Sequence, residues 1–252
     1  MMDVAILITS DLHGRLPRLP ESIAAESFYF DNGDTLFSAP PGAQLPEAAI
    51  KTATAMIAAL AEMNCRAAVP GNHEFDQGRV FFEHLAKTSP FPWIAANLVD
   101  ENDRLLLSPD CLFTTRQGHR IRFIGLLDPA ACALIPESDL GGCRILDPVT
   151  CLAPLLNQVD PDDLLIISIH GGFRQGRQAT SDDADHALLE AFPRIDLLIT
   201  GHDHRVIITR QGPSLALQPG AYGSQTAVIE VEFSSGRPRL KARLESLGAP
   251  RG

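Results

Sequence analysis

The sequence is short of aromatic residues, of positive charge and of long apolar runs. One Trp and two Tyr among 252 residues leave little material for a platform of stacked rings of the kind that grips a nucleobase. Lys and Arg number 21 against 31 Asp and Glu, for a formal net charge of −10. Such a field repels a nucleic-acid backbone unless a local cation intervenes, so no nucleic-acid polymer is expected as a partner. No stretch approaches the roughly 20 apolar residues of a membrane span, and no membrane role is expected. The five cysteines are odd in number and lack C-x-x-C spacing, which points to free thiols in a reducing compartment. Met1-Met2-Asp3 carries no basic segment, and the apolar run 4–8 is too short for a signal peptide. A cytoplasmic location is therefore expected. Repeats, low-complexity segments and linkers are missing too. With 45% hydrophobic and 21% charged residues, the chain suits one substantial α/β domain over 1–252.

What is present is one event that recurs. Residues 4–9 are a β-branched apolar run, read as a buried parallel-type strand, and they end at Ser10-Asp11-Leu12-His13-Gly14. A strand over 28–30 runs into Asp31-Asn32-Gly33-Asp34. A third, 67–69, is turned by Pro70-Gly71 and followed by Asn72-His73-Glu74-Phe75-Asp76. Strand 164–169 meets His170-Gly171-Gly172, and strand 196–200 meets Gly201-His202-Asp203-His204. Between these, Pro17 and Pro20 leave room only for a short helix near 21–26, and a Pro/Gly-rich loop covers 39–46. Helices are expected over 47–64, 80–87, 148–158 and 180–192. Further strands are expected over 93–98, in a hairpin of 112–115 with 121–126, and in the tail over 214–218, 225–233 and 239–244.

Taken singly, these turns are ordinary. An Asp in a Gly-rich turn commonly bonds its own backbone, and a lone His at a strand end is commonly a hydrogen-bonded loop residue. Five such ends in one α/β chain are not ordinary turn chemistry, because ligands gather beyond the carboxyl ends of strands in open sheets. Asp11, His13, Asp34, Asn72, His170, His202 and His204 mix carboxylate, imidazole and amide oxygen. That mixture suits divalent Mn, Fe, Zn or Co and does not suit Ca or Mg cages. Seven ligands are too many for one tetrahedral zinc. They fit two divalent transition-metal ions about 3.5–4 Å apart with one shared carboxylate.

The ordered set D-x-H, G-D, G-N-H-E, H and G-H-x-H resembles the calcineurin-like metallophosphoesterase superfamily. The longer match Gly71-Asn72-His73-Glu74-Phe75-Asp76 is similar to its 5′-nucleotidase / 2′,3′-cyclic-nucleotide phosphodiesterase branch. Ala95-Ala96-Asn97-Leu98, Ile124-Gly125-Leu126 and Gln218-Pro219-Gly220-Ala221-Tyr222-Gly223 agree with that branch. The resemblance implies a four-layer αββα sandwich of two mixed β-sheets flanked by helices. It implies one ion held by Asp11, His13 and His204, a second held by Asn72, His170 and His202, and Asp34 bridging them. A hydroxide between the ions is the implied nucleophile, attacking a phosphomonoester in line. His73 resembles the residue that donates to the leaving-group oxygen, with Asp76 orienting its ring. These two are the catalytic candidates, and Asn72, His73 and Tyr222 are candidates for substrate contact. Glu74 is expected to satisfy loop amides. His84, His119 and His186 match no motif and are expected in solvated or capping roles.

Three departures from the branch shape the expected substrate. No C-terminal domain of the kind that sandwiches a base is expected here, the crossover after the D-x-H motif is shortened, and no export signal is seen. We therefore expect hydrolysis of a small phosphorylated metabolite, nucleotide-like or other, with a homo-oligomer or partner chain available to complete the pocket. Three alternatives stay open: a cyclic-nucleotide phosphodiesterase, a non-catalytic protein-binding scaffold, and a thiosulfate-ester hydrolase on the same metals. The complete ligand set together with His73 argues against the scaffold.

Overall fold

The computed structural model describes residues 2–20, 26–36, 47–133, 135–173, 184–234 and 236–246. In chain order these form β1 Val4–Thr9, β2 Glu26–Asp31, α1 Glu47–Glu62, β3 Cys65–Ala68, a 3₁₀ turn His73–Phe75, α2 Arg79–Thr88 and β4 Leu98–Val99. Then follow β5 Asp110–Thr114, β6 Arg120–Leu127, α3 Pro129–Cys132, α4 Glu137–Leu140, β7 Arg144–Ile145 and α5 Pro148–Leu156. The rest are β8 Leu164–His170, α6 Ala184–Ala191, β9 Leu197–Ile199, β10 Val206–Gln211, β11 Ser214–Pro219, β12 Gln225–Glu232 and β13 Arg239–Ser246.

Two large sheets result, in the orders β13-β12-β1-β2-β3 and β10-β11-β9-β8-β6-β5. Both are mixed. In the first, β1, β2 and β3 run parallel, while β12 pairs antiparallel with both β1 and β13. In the second, β6, β8, β9 and β11 run parallel and the edges β5 and β10 are antiparallel.

Side-chain parity explains the layering. A strand covered on both faces must be apolar at every position, with alternate residues entering different layers. In β1, Val4, Ile6 and Ile8 pack with Ile121, Phe123, Leu164 and Ile166 between the sheets. Leu7 faces the other way, into a cluster with Leu60 of α1 and Phe82 of α2. In β8, Leu164 and Ile166 face inward, while Leu165, Ile167 and Ile169 meet Leu152 of α5 and Leu188 of α6. The order is helix, sheet, sheet, helix, as the expected αββα sandwich requires. Phe30 and Phe123 stack across the middle at 4.2 Å and 11°, a ring pair contributing about 0.5–1.5 kcal/mol beyond its buried area.

Most expected elements are found close to their expected bounds. The helix over 148–158 is α5, begun by Pro148 and capped by Asp147, whose side chain accepts from Thr150 N. The short helix near 21–26 falls almost wholly outside the described residues, and its last member, Glu26, opens β2. The loop 39–46 and the first turn of the helix 180–192 also lie outside them. Two readings need correction. The segment 93–98 is not one strand. Ile94 N bonds Ala68 O of the first sheet, Ala95 N bonds Ser108 O, and Ala96 N bonds Gly125 O of the second sheet. With its donors spent on successive partners, the segment ties the sheets together, and only Leu98–Val99 forms a ladder, with β7. β10, with alternating exposure along its length, was not expected at all. It is an edge strand whose polar–apolar alternation is broken by Ile207 and Ile208.

Candidate metal centre

Five parallel strands end at one edge of the molecule, three from the first sheet and two from the second, and the loops beyond them converge. The loop after β1 is laced to the loop after β2: Asp11 N bonds Gly33 O, His13 N bonds Asp34 O and Gly14 N bonds Thr35 O, all within 2.8–2.9 Å. Across the sheets, His202 N donates to the two Asp11 carboxylate oxygens at 2.9 and 3.1 Å. Gly33 is needed for this closeness, since a Cβ there would lie 2.6 Å from Gly71 N and 2.8 Å from His170 Nδ1. Gly71 and Gly201 are equally confined, with Asp34 Oδ1 and Ser10 Oγ in the space a side chain would take.

The ligand-type residues themselves carry strain. Asp11, His13, Asp34, His202 and His204 all adopt left-handed backbone, with φ between 48° and 74°. Non-glycine residues enter that region at a cost of order 1 kcal/mol or more each, held there by surrounding structure.

The side chains gather into groups that share members. Asp11, His13 and His204 form one, and Asp34, His170 and His202 another. His13 and His204 approach through their Nε2 atoms at 3.0 Å, and His204 Nε2 is 3.5 Å from Asp11 Oδ1. His170 Nε2 is 3.2 Å from Asp34 Oδ2, and His202 Nδ1 is 2.9 Å from Asn72 Oδ1. Asp34 belongs as well to a third group with His13 and His73.

The donor set suits cations. His170 Nδ1 lies 2.6 Å from the Asn32 carbonyl, which can only accept, so Nδ1 carries a proton and Nε2 is the ring atom turned to the centre. That Nε2 is buried without a hydrogen-bond partner among the described residues. It faces a carboxylate, and imidazole nitrogens elsewhere in the cluster face one another. Such lone pairs repel unless a proton or a metal ion lies between them. For His170, burial pulls the pKa down, but the charge of the adjacent Asp34 carboxylate overcomes it and holds the ring up to about 10. Burial would raise the Asp34 carboxyl, yet His170 and His73 keep it well below the usual range. In Asp11, burial dominates and the pKa rises.

His73 and Asp76 stand beside this cluster. His73 Nδ1 is 2.9 Å from Asp76 Oδ2, so Nδ1 donates to the carboxylate and Nε2 is the ring atom left for another partner. Burial depresses the ring, and Asp76 and Asp34 reverse this, so its pKa is raised. Its backbone N–H also donates to Asp34 Oδ1 at 2.9 Å. Glu74, fully buried, accepts from Gly71 N, Asp34 N, Thr35 N and Leu36 N at 2.6–3.1 Å. Burial and the Asp34 charge push its carboxyl up to about 7. It is the expected loop-amide acceptor. Tyr222 lies at the rim, its ring 5.3 Å from His13 and 5.1 Å from His204. His119 and His186 stack on Phe233 and Phe173, and His84 is exposed on α2.

Sequence reasoning missed the supporting residues. Asn32 takes the His170 proton on its carbonyl and accepts from Ser168 Oγ on its side chain at 2.5 Å. Gln218 Nε2 ties Gly201 O to Asp203 Oδ1 at 3.1 and 2.5 Å. The signal was available: Ser168 interrupts an otherwise apolar strand, and a buried hydroxyl needs a partner.

A family model described as calcineurin-like phosphoesterase matches residues 4–206 of the chain. The 5′-nucleotidase of Vibrio cholerae serotype O1 is 25% identical over 178 residues, 68% of this chain and 32% of that protein. A 2′,3′-cyclic-nucleotide 2′-phosphodiesterase/3′-nucleotidase of Yersinia enterocolitica is 23% identical over 237 residues, 82% of this chain and 36% of that protein. The chain thus spans about a third of the length of these curated relatives. The solved structure of the calcineurin-like phosphoesterase YfkN from Bacillus subtilis superposes with a TM-score of 0.75 at 19% identity. That match covers 97% of this chain and 91% of the other, a likeness of fold.

Proposed function

The chain belongs to the calcineurin-like phosphoesterase family, and from that premise we propose that it is a two-metal phosphoric ester hydrolase acting on a small phosphomonoester, nucleotide-like or other. The observation that supports this most is Asp34. One of its oxygens faces His170 Nε2 at 3.2 Å, and it belongs to more than one ligand group, the place a shared carboxylate must take. Asp11, His13 and His204 would hold one divalent ion and Asn72, His170 and His202 the other. Bound there, the ions would supply charge neutralisation for the phosphoryl oxygens and an activated water.

The remaining chemistry falls to the chain. His73 holds a proton on Nδ1 against Asp76, and its raised pKa favours the charged ring, a proton donor for a leaving-group oxygen. The Asp34 contact to the His73 backbone fixes the ring's distance from the ligands. Glu74, by holding amides on both the Gly71 and the Asp34–Leu36 loops, keeps these two halves in register. The relative named as a cyclic-nucleotide phosphodiesterase supports a second reading, in which the same centre opens a cyclic diester.

The test is a turnover screen on protein reconstituted with Mn, Fe, Zn or Co, combined with elemental analysis. The reading expects close to two ions per chain, loss of turnover on chelation, and faster hydrolysis of p-nitrophenyl phosphate than of its bis-ester. Preference for the bis-ester and for 2′,3′-cyclic AMP would favour the second reading. Full activity with one ion or none would overturn both.

A further inference from the structure

One rim of the metal centre is made of two loops pressed together. A Cβ on Gly223, at φ +65°, would lie 3.2 Å from both Leu16 O and Pro17 Cα. Between these loops stands Tyr222, itself at φ +60° with its amide donating to Asp11 O at 2.8 Å. The same backbone argument made for the ligands applies here: a left-handed tyrosine is kept only where surrounding contacts impose it. It holds a ring that is 42% exposed against His13 and His204, and the guanidinium carbon of Arg15 lies 5.0 Å from the centre of that ring. With 5.3 Å from the Tyr222 ring to His13, Arg15 lies within about 10 Å of the ligand cluster.

Arg15 is unlike its neighbour on this rim. Arg205, which follows His204, is held by Asp203 Oδ2 at 3.2 Å. Among the described residues Arg15 makes no salt bridge, on a chain whose net charge is −10. The rim also bears open apolar side chains, with Leu16 56% and Val206 51% exposed, the latter seated against Gly220. Apolar side chains offer a nucleobase no hydrogen bonds. A guanidinium laid on a ring loses less freedom on binding and meets phosphate oxygens through two parallel N–H groups.

We propose that Arg15, carried on Tyr222, is a second anion site, so that this centre prefers phosphomonoesters whose leaving group bears a further phosphoryl group. The inference rests on the hydrolase reading above and adds to it the charge of the leaving group. Recognition here is of charge at a fixed reach from the scissile phosphate, with no reading of the base.

The experiment compares 1,3-propanediol bisphosphate with propyl phosphate on the metal-reconstituted chain. These have similar alkoxide leaving groups and differ in the second phosphate. Wild type should prefer the bisphosphate by about tenfold or more in kcat/KM, carried by KM, a preference of about 1.4 kcal/mol. In Arg15→Ala the ratio should fall below about threefold, and Arg15→Lys should recover part of it, since charge survives without the planar fork. A binding readout stands beside this: calorimetric titration with propane-1,3-bisphosphonate and propylphosphonate should show the same preference in wild type and its loss in Arg15→Ala. If neither ester is hydrolysed, the hydrolase reading fails while the titrations still decide the role of Arg15. Equal preference in wild type and Arg15→Ala, by rate or by binding, overturns the proposal.

Discussion

His170 and Asp34 face each other at 3.2 Å, Nε2 to Oδ2, at a depth where neither ring nor carboxylate touches solvent. Without metal, that contact is satisfied by a proton on Nε2, and His170 holds it up to about 10 even though burial alone would pull the ring down. The sign of the consequence follows from the direction. A histidine whose folded pKa lies above its unfolded value of about 6.5 contributes stability that is complete below 6.5 and lost as pH climbs through about 10. The metal-free protein should therefore lose stability across that window. Metal should bind more tightly with rising pH there and release protons as it binds. Thermal melts at stepped pH, with and without metal, check the first point, and calorimetry in buffers of differing ionisation heat checks the second. A metal-free melting temperature that is flat from pH 7 to 10 would count against the pair.

The proton on His73 has its own test. His73→Asn should lower kcat by about 10²–10⁴-fold with the metals still bound. Good leaving groups need no proton, so the loss should be smaller for p-nitrophenyl phosphate than for an alkyl phosphate. An equal loss for both esters would argue against proton donation, and loss of metal would make His73 a ligand. Asp76→Asn should show a weaker version of the same pattern, because the ring stays but its orientation and raised pKa do not.

Glu74 bears on stability more than on chemistry. Four backbone amides from two loops end on its carboxylate, and each buried donor left unpaired costs about 1–3 kcal/mol. Glu74→Ala should cost at least about 3 kcal/mol by this reckoning and weaken metal binding. Glu74→Gln should fall between, since one amide oxygen can serve only two of the four donors. Denaturant unfolding of the metal-free forms gives the ordering. An Ala variant as stable as wild type would show that the loops are held by something else.

Base identity should matter little. Stacking contributes about 1–3 kcal/mol per base where a ring platform exists. Here Trp93 is buried in the core against Phe82, and Tyr29, on β2, is buried in the cluster that holds Leu60 of α1, leaving Tyr222 at the rim. We expect kcat/KM for AMP and UMP to differ by less than about tenfold, or 1.4 kcal/mol. A hundredfold preference for one base, under one metal condition, would reveal a base-recognition pocket and overturn this expectation.

The ligand-type residues were legible because each follows a strand that announces itself by its apolar run, and turn residues mark where the run stops. Legible, too, was the paired-sheet layering, through the family resemblance and the fully apolar β1 and β8. What sequence could not convey was long-range accounting. That residues 94–96 would send successive amides to different partners depends on carbonyls at 68, 108 and 125, none of them local. Asn32 looked like one more polar turn residue, because its two roles lie with Ser168 and His170, more than 130 positions away. β10 was overlooked since an edge strand bears a half-exposed pattern that a loop can share.

Two of the candidate ligand groups draw from both sheets: Asp11 and His13 with His204, and Asp34 with His170 and His202. Ligand spacing is therefore a clearance fitted by the layer of side chains between the sheets, with the Phe30–Phe123 stack acting as a shim and residues 93–97 as a clamp. Thinning the shim from within, as Phe123→Leu would do, lets the jaws settle toward each other without altering any residue of the candidate centre. In this architecture the tolerance of a reaction centre is machined far from its edge, and hydrophobic residues with no chemistry of their own carry its calibration.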